Sequence, residues 1–354
     1  MRIETDIKLD FKDVLLKPKR STLSSRRSVT MERDFTFRHW NDTKEIWTGV
    51  PVMASNMDGV GTFAMANVLQ NYNMLTVIKK HYTIQDWENA VGHGMSLSNI
   101  AVSTGTNAIF DPNAEDYRKA QEILARWPDI KFICIDVANG YQQNFSDFIK
   151  RVREQFPKKI IIAGNVITGE MTEQLCIAGA DIIKCGIGPG SVCTTRVMTG
   201  VGMPQLSGIM ECADAAHGLG GHIIADGGCT EPGDVAKAFG AGADFVMLGG
   251  MLAGHDESEM EVVAGQYEFY GMSSNRAMQE HGTRKDGYRS SEGRHIRLDA
   301  RGSVEGTVTE ILGGVRSACT YIGARRIKDM PKCSTFVLVN ATHNTVYLNN
   351  TVGD

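Results

Sequence analysis

Eight short runs of apolar, largely β-branched residues recur along the chain, most of them ending in glycine or polar residues. They are VPVMASNMDG (50–59), MLTVIKK (74–80), NIAVSTG (99–105), KFICIDVANG (131–140), KIIIAGNV (159–166), ADIIKCGIG (180–188), HIIADGG (222–228) and DFVMLGG (244–250). Between most of them lie segments with helical periodicity: Gly61–Tyr72, Ala114–Trp127, Phe145–Phe156, Gly169–Ala178, Gly208–Leu219 and Gly233–Phe239. Continuous apolar strands alternating with amphipathic helices are what a parallel sheet buried on both faces requires. Eight such units suit a closed (β/α)8 TIM barrel better than an open doubly wound sheet of about five or six strands, which is the alternative.

The 354 residues allow either two domains of about 150 residues or one barrel with extensions. The pattern favours a single α/β barrel domain over 1–354. It has an N-terminal extension (1–49), eight strand/helix units (50–250), a loop excursion with a closing helix (251–330) and a C-terminal tail (331–354). The extension carries a basic stretch, KPKRSTLSSRRS (17–28), which composition alone reads as a solvated loop. Two long loops interrupt the repeat, one opening with GIGPGSVCTTRVMTGVG after the sixth run. The other is the polar excursion His255–Ser303. Long loops in compact domains are usually functional or disordered, and the first is too rich in Gly, Cys and Thr to be plain disorder.

Thirty-seven basic against 41 acidic residues give a net charge of −4, which argues against a nucleic-acid binder. No run of about 18 apolar residues supports a membrane span. The start, MRIETDIKLDFKD, lacks the apolar stretch of a secretory signal, so the cytosol is expected. The eight cysteines, at 134, 176, 185, 193, 212, 229, 319 and 333, show no CxxC pair and no zinc-type His spacing. Most read as reduced, small core residues.

In a barrel, residues just after each strand share one rim, where chemistry collects. Cys193 falls there, in a Gly/Ser loop rather than inside an apolar run as Cys134, Cys176 and Cys185 are. A thiol is the most nucleophilic side chain near neutral pH, and a nearby cation or oriented amides activate it further. Three glycine sites share that rim: GPGS (188–191), DGG (226–228) and GG (249–250). Backbone amides at such sites bind phosphate where only glycine permits close approach. Asp226 has no obvious basic neighbour in sequence, so a sugar diol is a plausible partner and a helix cap the bland one. No strand-end Lys or Glu pair presents itself as the base of a phosphosugar isomerase or aldolase.

The run GIGPGSVCTTR with GVGMPQ, IIADGG, FVMLGGMLAGH, FYGMSS and YRSSEG resembles the IMP dehydrogenase/GMP reductase family. The likeness extends from LDFKDVLLKPKRSTL (9–23) to about Tyr321. It implies a (β/α)8 barrel, a homotetramer, and NADPH-dependent reductive deamination of GMP to IMP with release of ammonia, a step of purine salvage. Cys193 matches the nucleophile that adds to purine C2 as a thioimidate, and Thr195 and Glu292 match the pair that handles the proton for departing ammonia. The resemblance places phosphate and ribose at Ser191, Asp226, Gly227, Gly228, Gly249 and Gly250. Gly271, Met272 and Ser273, with Arg289, Ser290, Ser291 and Gly293, would surround the base. NADPH contacts match Lys80, Asp136, Val137, Ala138, Ile187, Gly188, Met272, Tyr288, Arg289, Ser317, Ala318, Cys319 and Thr320. Ser25 and Arg26 would reach a neighbouring subunit's cofactor. Gly188, Gly190, Cys193 and Arg196 match a monovalent-cation (K+) loop.

The amino group on guanine C2 is a very poor leaving group as an anion and must depart as neutral ammonia, so a proton donor is needed. Thiol addition splits one difficult displacement into amine expulsion followed by hydride delivery. The family's dehydrogenase branch, which oxidises IMP with NAD, usually carries an inserted module of about 120 residues between the second and third strands. Here those strands start about 25 residues apart. A catalytically silent, nucleotide-sensing barrel is the remaining alternative, disfavoured because a sensor needs no nucleophile.

Overall fold

A computed structural model describes residues 1–40, 45–107, 114–281 and 290–339. Eight strands follow one another around it: β1 (Trp47–Ala54), β2 (Met74–Ile78), β3 (Ile100–Thr104), β4 (Phe132–Asp136), β5 (Ile160–Val166), β6 (Ile182–Cys185), β7 (His222–Asp226) and β8 (Phe245–Leu248). Each pairs in parallel with the next. Pairing of Val246, Met247 and Leu248 with Val52, Met53 and Ala54 joins β8 to β1. That closure decides for the barrel over the open sheet.

Both faces of the strands are buried, which is why the apolar runs are continuous. In β4, Phe132 and Cys134 point into the barrel with Ile160, Ile162, Ile224 and Met247. Ile133 and Ile135 point outward under the helices. The connecting helices are α1 (Phe63–Leu69), α2 (Ile84–Gly92), α3 (Glu115–Arg126), α4 (Gln143–Gln155), α5 (Gly169–Ala178), α6 (Gln205–Gly218), α7 (Pro232–Gly240) and α8 (Val304–Ile322). Six match the periodic segments to within a few residues, and α8 is the expected closing helix. The remaining one, α2, is not singled out by the sequence; it is short, with Trp87 fully buried and Ile84, Ala90 and Val91 packed on the core beside it. A capping box starts it: Thr83 accepts from Asp86 N while Asp86 accepts from Thr83 N.

The basic stretch 17–28 is largely exposed, while other parts of the N-terminal extension pack on the barrel. Strand Arg33–Phe35 pairs antiparallel with β1 and turns Phe35 onto Phe245 at 4.3 Å between ring centroids. Phe37, Trp40 and Trp47 join them, so an aromatic plug closes the N-terminal end of the barrel. Arg33 pairs with Asp244 and His39 with Asp181 at the same end, leaving the opposite rim for chemistry. Strand Val14–Leu16 pairs antiparallel with Phe336–Leu338, so the extension and the C-terminal segment clasp each other beside α7. The polar excursion is likewise structured. It holds a three-stranded antiparallel sheet (Val262–Val263, Gln266–Tyr270, His295–Leu298) and a short helix, Asn275–Glu280. No helix among the described residues is long and apolar enough to cross a membrane.

Candidate active site

A cavity of about 250 Å³ opens at the C-terminal ends of the strands, at the small end of the range for ligand sites. Its closed side is built from glycine. Gly227 and Gly228 have φ near +90°, a left-handed conformation that side chains resist. A Cβ on Gly250 would come within 2.8 Å of Ser191 Oγ. The loops after β6, β7 and β8 thus form a cradle that a methyl group would fill. Ser191, Asp226, Gly227, Gly228, Gly249 and Gly250, the residues expected to hold phosphate and sugar, all line it.

Above the cradle three segments are zipped together by backbone hydrogen bonds. Arg294 N donates to Val192 O at 2.9 Å, Thr194 N to Glu292 O at 2.9 Å, and Glu292 N to Ser273 O at 3.1 Å. Cys193 and Ser274 each bridge to Gly293. This arrangement brings residues about a hundred positions apart into line. Cys193 Sγ lies 3.2 Å from Thr195 Oγ1, which donates to Glu292 Oε2 at 2.8 Å. Gly271, Met272 and Ser273 line the same cavity. Ser290 is exposed, and the Ser291 hydroxyl turns to Gly293 O. Tyr288 and Arg289 lie outside the described residues.

Arg196 ties the cysteine loop to the N-terminal extension. Its guanidinium donates to Met203 O at 2.6 Å, to Ile187 O at 3.4 Å and to Asp10 at 3.2 Å. Of the carbonyls expected to hold a monovalent cation, Gly190 O already accepts from Cys193 N and Arg196 O from Gly200 N. Each retains one lone pair for any added ion.

The residues expected to contact NADPH divide into groups. Asp136, Val137, Ala138, Ile187, Gly188 and Met272 line the same cavity, the first three at and just after the end of β4. Lys80 stands apart, 3.8 Å from Asp116. Ser25 and Arg26 are exposed on a turn that packs against α8, which carries Ser317–Thr320. None of these seven lines the cavity. Cys319 needs correction as a contact residue: its side chain is fully buried in the core.

Sequence reasoning missed one residue of this site. Asp226 does have a basic partner, because Lys184 Nζ lies 3.3 Å from it. Lys184 is also the strand-end lysine that appeared absent. Its place inside an otherwise apolar run was the available signal, since lysine is almost never buried unpaired. Burial alone would lower its pKa, but Asp136 and then Asp226 outweigh it and hold the group above the ordinary lysine range. It remains an ammonium, so it cannot serve as an amine nucleophile.

The excursion is pinned to the rim by a cluster the sequence did not disclose. His281 and His81 stack with ring centroids 3.4 Å apart. Asp58 Oδ2 pairs with His281 Nε2 at 2.6 Å and accepts from Tyr270 at 2.9 Å.

A cysteine, a hydroxyl and a carboxyl group in line beside a glycine cradle thus lie on the strand-end rim of a (β/α)8 barrel. The description "IMP dehydrogenase / GMP reductase domain" matches residues 8–346, and the chain belongs to that family. It is 57% identical over 355 aligned positions to the GMP reductase of Yersinia pestis (strain Pestoides F), covering 98% of this chain and 99% of that protein. The same figures hold for the GMP reductase of Yersinia pseudotuberculosis serotype O:1b (strain IP 31758).

Proposed function

We propose that this chain is an NADPH-dependent oxidoreductase that converts GMP to IMP and ammonia. The observation that carries the proposal is the unbroken line Cys193 Sγ–Thr195 Oγ1–Glu292 Oε2 beside the glycine cradle. The cradle amides and Ser191 hold the 5′-phosphate, and Asp226 accepts from the ribose hydroxyls. The Cys193 thiol adds to purine C2, its proton passing by way of Thr195 to Glu292. A proton relayed from Glu292 through Thr195 lets the exocyclic nitrogen leave as ammonia, giving a thioimidate. NADPH, when bound, supplies the hydride that C2 receives, and the C–S bond then breaks to restore the thiolate and release IMP. Asp136, Val137, Ala138 and Ile187 border the side of the cavity from which the nicotinamide can face C2.

Ser25, Arg26, Ser317, Ala318 and Thr320 complete the cofactor site across a subunit boundary, so the working form is a homo-oligomer, a tetramer by family likeness. A potassium ion on the Gly188, Gly190, Cys193 and Arg196 loop would act as a buttress and takes no part in the steps above. The enzyme works in the cytosol, with no nucleic-acid or membrane partner.

Absorbance of NADPH with GMP, and of NAD with IMP, tests the reading in wild type and Cys193→Ala. NADPH oxidation by wild type alone, with the trapped nucleotide on the 188–196 peptide, is the expected result. NAD reduction by IMP without NADPH consumption would make it a dehydrogenase. Tight GMP binding with neither reaction would make it a sensor.

A further inference from the structure

The chemistry above leaves one buried charge without a task. Lys184, in β6, has a side chain only 3% exposed. Its Nζ sits between Asp136, at the end of β4, and Asp226, at the end of β7. It is hydrogen-bonded to Asp136 Oδ1 and 3.3 Å from Asp226 Oδ2. Each carboxylate has a second, amide partner. Asn56 Nδ2 donates to Asp136 Oδ2 at 3.0 Å, and Asn165 Nδ2 to Asp226 Oδ2 at 2.8 Å. Asn165 is itself fixed by Gly186 O at 2.9 Å. Both acids line the cavity, on the two sides read above as nicotinamide and ribose.

One cation is therefore shared by two acids that face different ligands. A buried ammonium stays charged only while it is paired, so it cannot move away from both. What one carboxylate releases, the other takes up. A carboxylate that holds the ammonium more tightly is a poorer acceptor for a sugar hydroxyl.

We propose that Lys184 is a positioning residue that couples the two sides of the cavity, dividing one ammonium between Asp136 and Asp226 so that engagement of either acid changes the grip of the other on its ligand. The identities of the ligands rest on the function proposed above; the coupling rests on the shared lysine. Asp136→Asn leaves Lys184 wholly to Asp226 and should weaken GMP binding, although Asp136 faces the other ligand.

The test is calorimetric titration of GMP, without NADPH, into wild type, Asp136→Asn, Lys184→Met and the double variant, with circular dichroism confirming each fold. Asp136→Asn is expected to raise the GMP dissociation constant about 5-fold or more with Lys184 present. In the Lys184→Met background the same change should stay within about 2-fold. Lys184→Arg, which keeps the charge, should preserve the dependence. Equal effects of Asp136→Asn in the two backgrounds, or no effect beside intact Lys184, overturn the coupling. The second criterion holds even where Lys184→Met fails to fold. Absence of GMP binding by wild type overturns the function instead, and the coupling with it.

Discussion

Cys193 differs from the enclosed thiols in what surrounds it. Burial pushes Cys134, Cys176 and Cys319 up to about 12, where thiolate is negligible at neutral pH. Cys229 lines the same cavity, yet its enclosure also drives its thiol well above the ordinary value. Cys193 instead has a hydroxyl at 3.2 Å and an open cavity before it. A thiol-directed alkylating agent should therefore label the 188–196 peptide first, with GMP protecting it; peptide mass mapping reads the result, and first labelling at Cys229 would contradict it. Glu292→Gln keeps the shape but not the acid, so turnover should fall about 10²–10⁴-fold with GMP affinity retained. Steady-state kinetics beside direct GMP titration separate the two effects. Cys193 and the glycines were legible in the sequence because their neighbours are wrong for a core and right for a turn. Lys184 was not, because its meaning depends on two acids 48 and 42 positions away that only barrel closure brings together.

Strand and helix periodicity revealed the barrel units because both faces of each strand are buried, a local property that repeats. The plug Arg33–Phe35 and the sheet of the excursion were hidden, since their burial comes from distant partners and their strands are two to five residues long. The excursion is the element on which Glu292 depends, and its hold on the rim includes the His81–His281 stack. Burial, and after it the neighbouring His281, lower the His81 pKa from 6.5 to about 4; Asp58 opposes this, and Lys80 and Lys119 add to it. A histidine that binds protons less readily folded than unfolded stabilises the folded contact above pH 6.5. That contribution is lost as pH falls through about 4. Amide exchange in residues 271–281 should thus accelerate between pH 6 and 4 relative to the barrel strands. His81→Phe keeps an aromatic face without a titrating proton and should flatten that dependence. An unchanged profile in the variant would show that the stack is not what loosens.

At the scale of the whole molecule, the distribution of the proposed cofactor residues makes its own demand. Asp136–Ala138 face the cavity, while Ser25 and Arg26 and the Ser317–Thr320 turn of α8 lie off it. If one NADPH touches both sets, a second copy of the chain must supply the outer set, and each working site then mixes residues from two chains. Two crippled chains should rescue each other. Cys193→Ala lacks the nucleophile but has an intact outer set; Ser25→Ala with Arg26→Glu has the nucleophile but a damaged outer set. Co-expressed and co-purified, they should form sites holding the intact member of each pair. NADPH oxidation should then exceed the sum of the parents, with an NADPH KM near that of wild type, while GMP binding by the second variant alone stays unchanged. Activity no greater than that sum in verified mixed oligomers would place both sets in one chain, and the outer residues would then have to reach the cavity by a movement of the N-terminal extension.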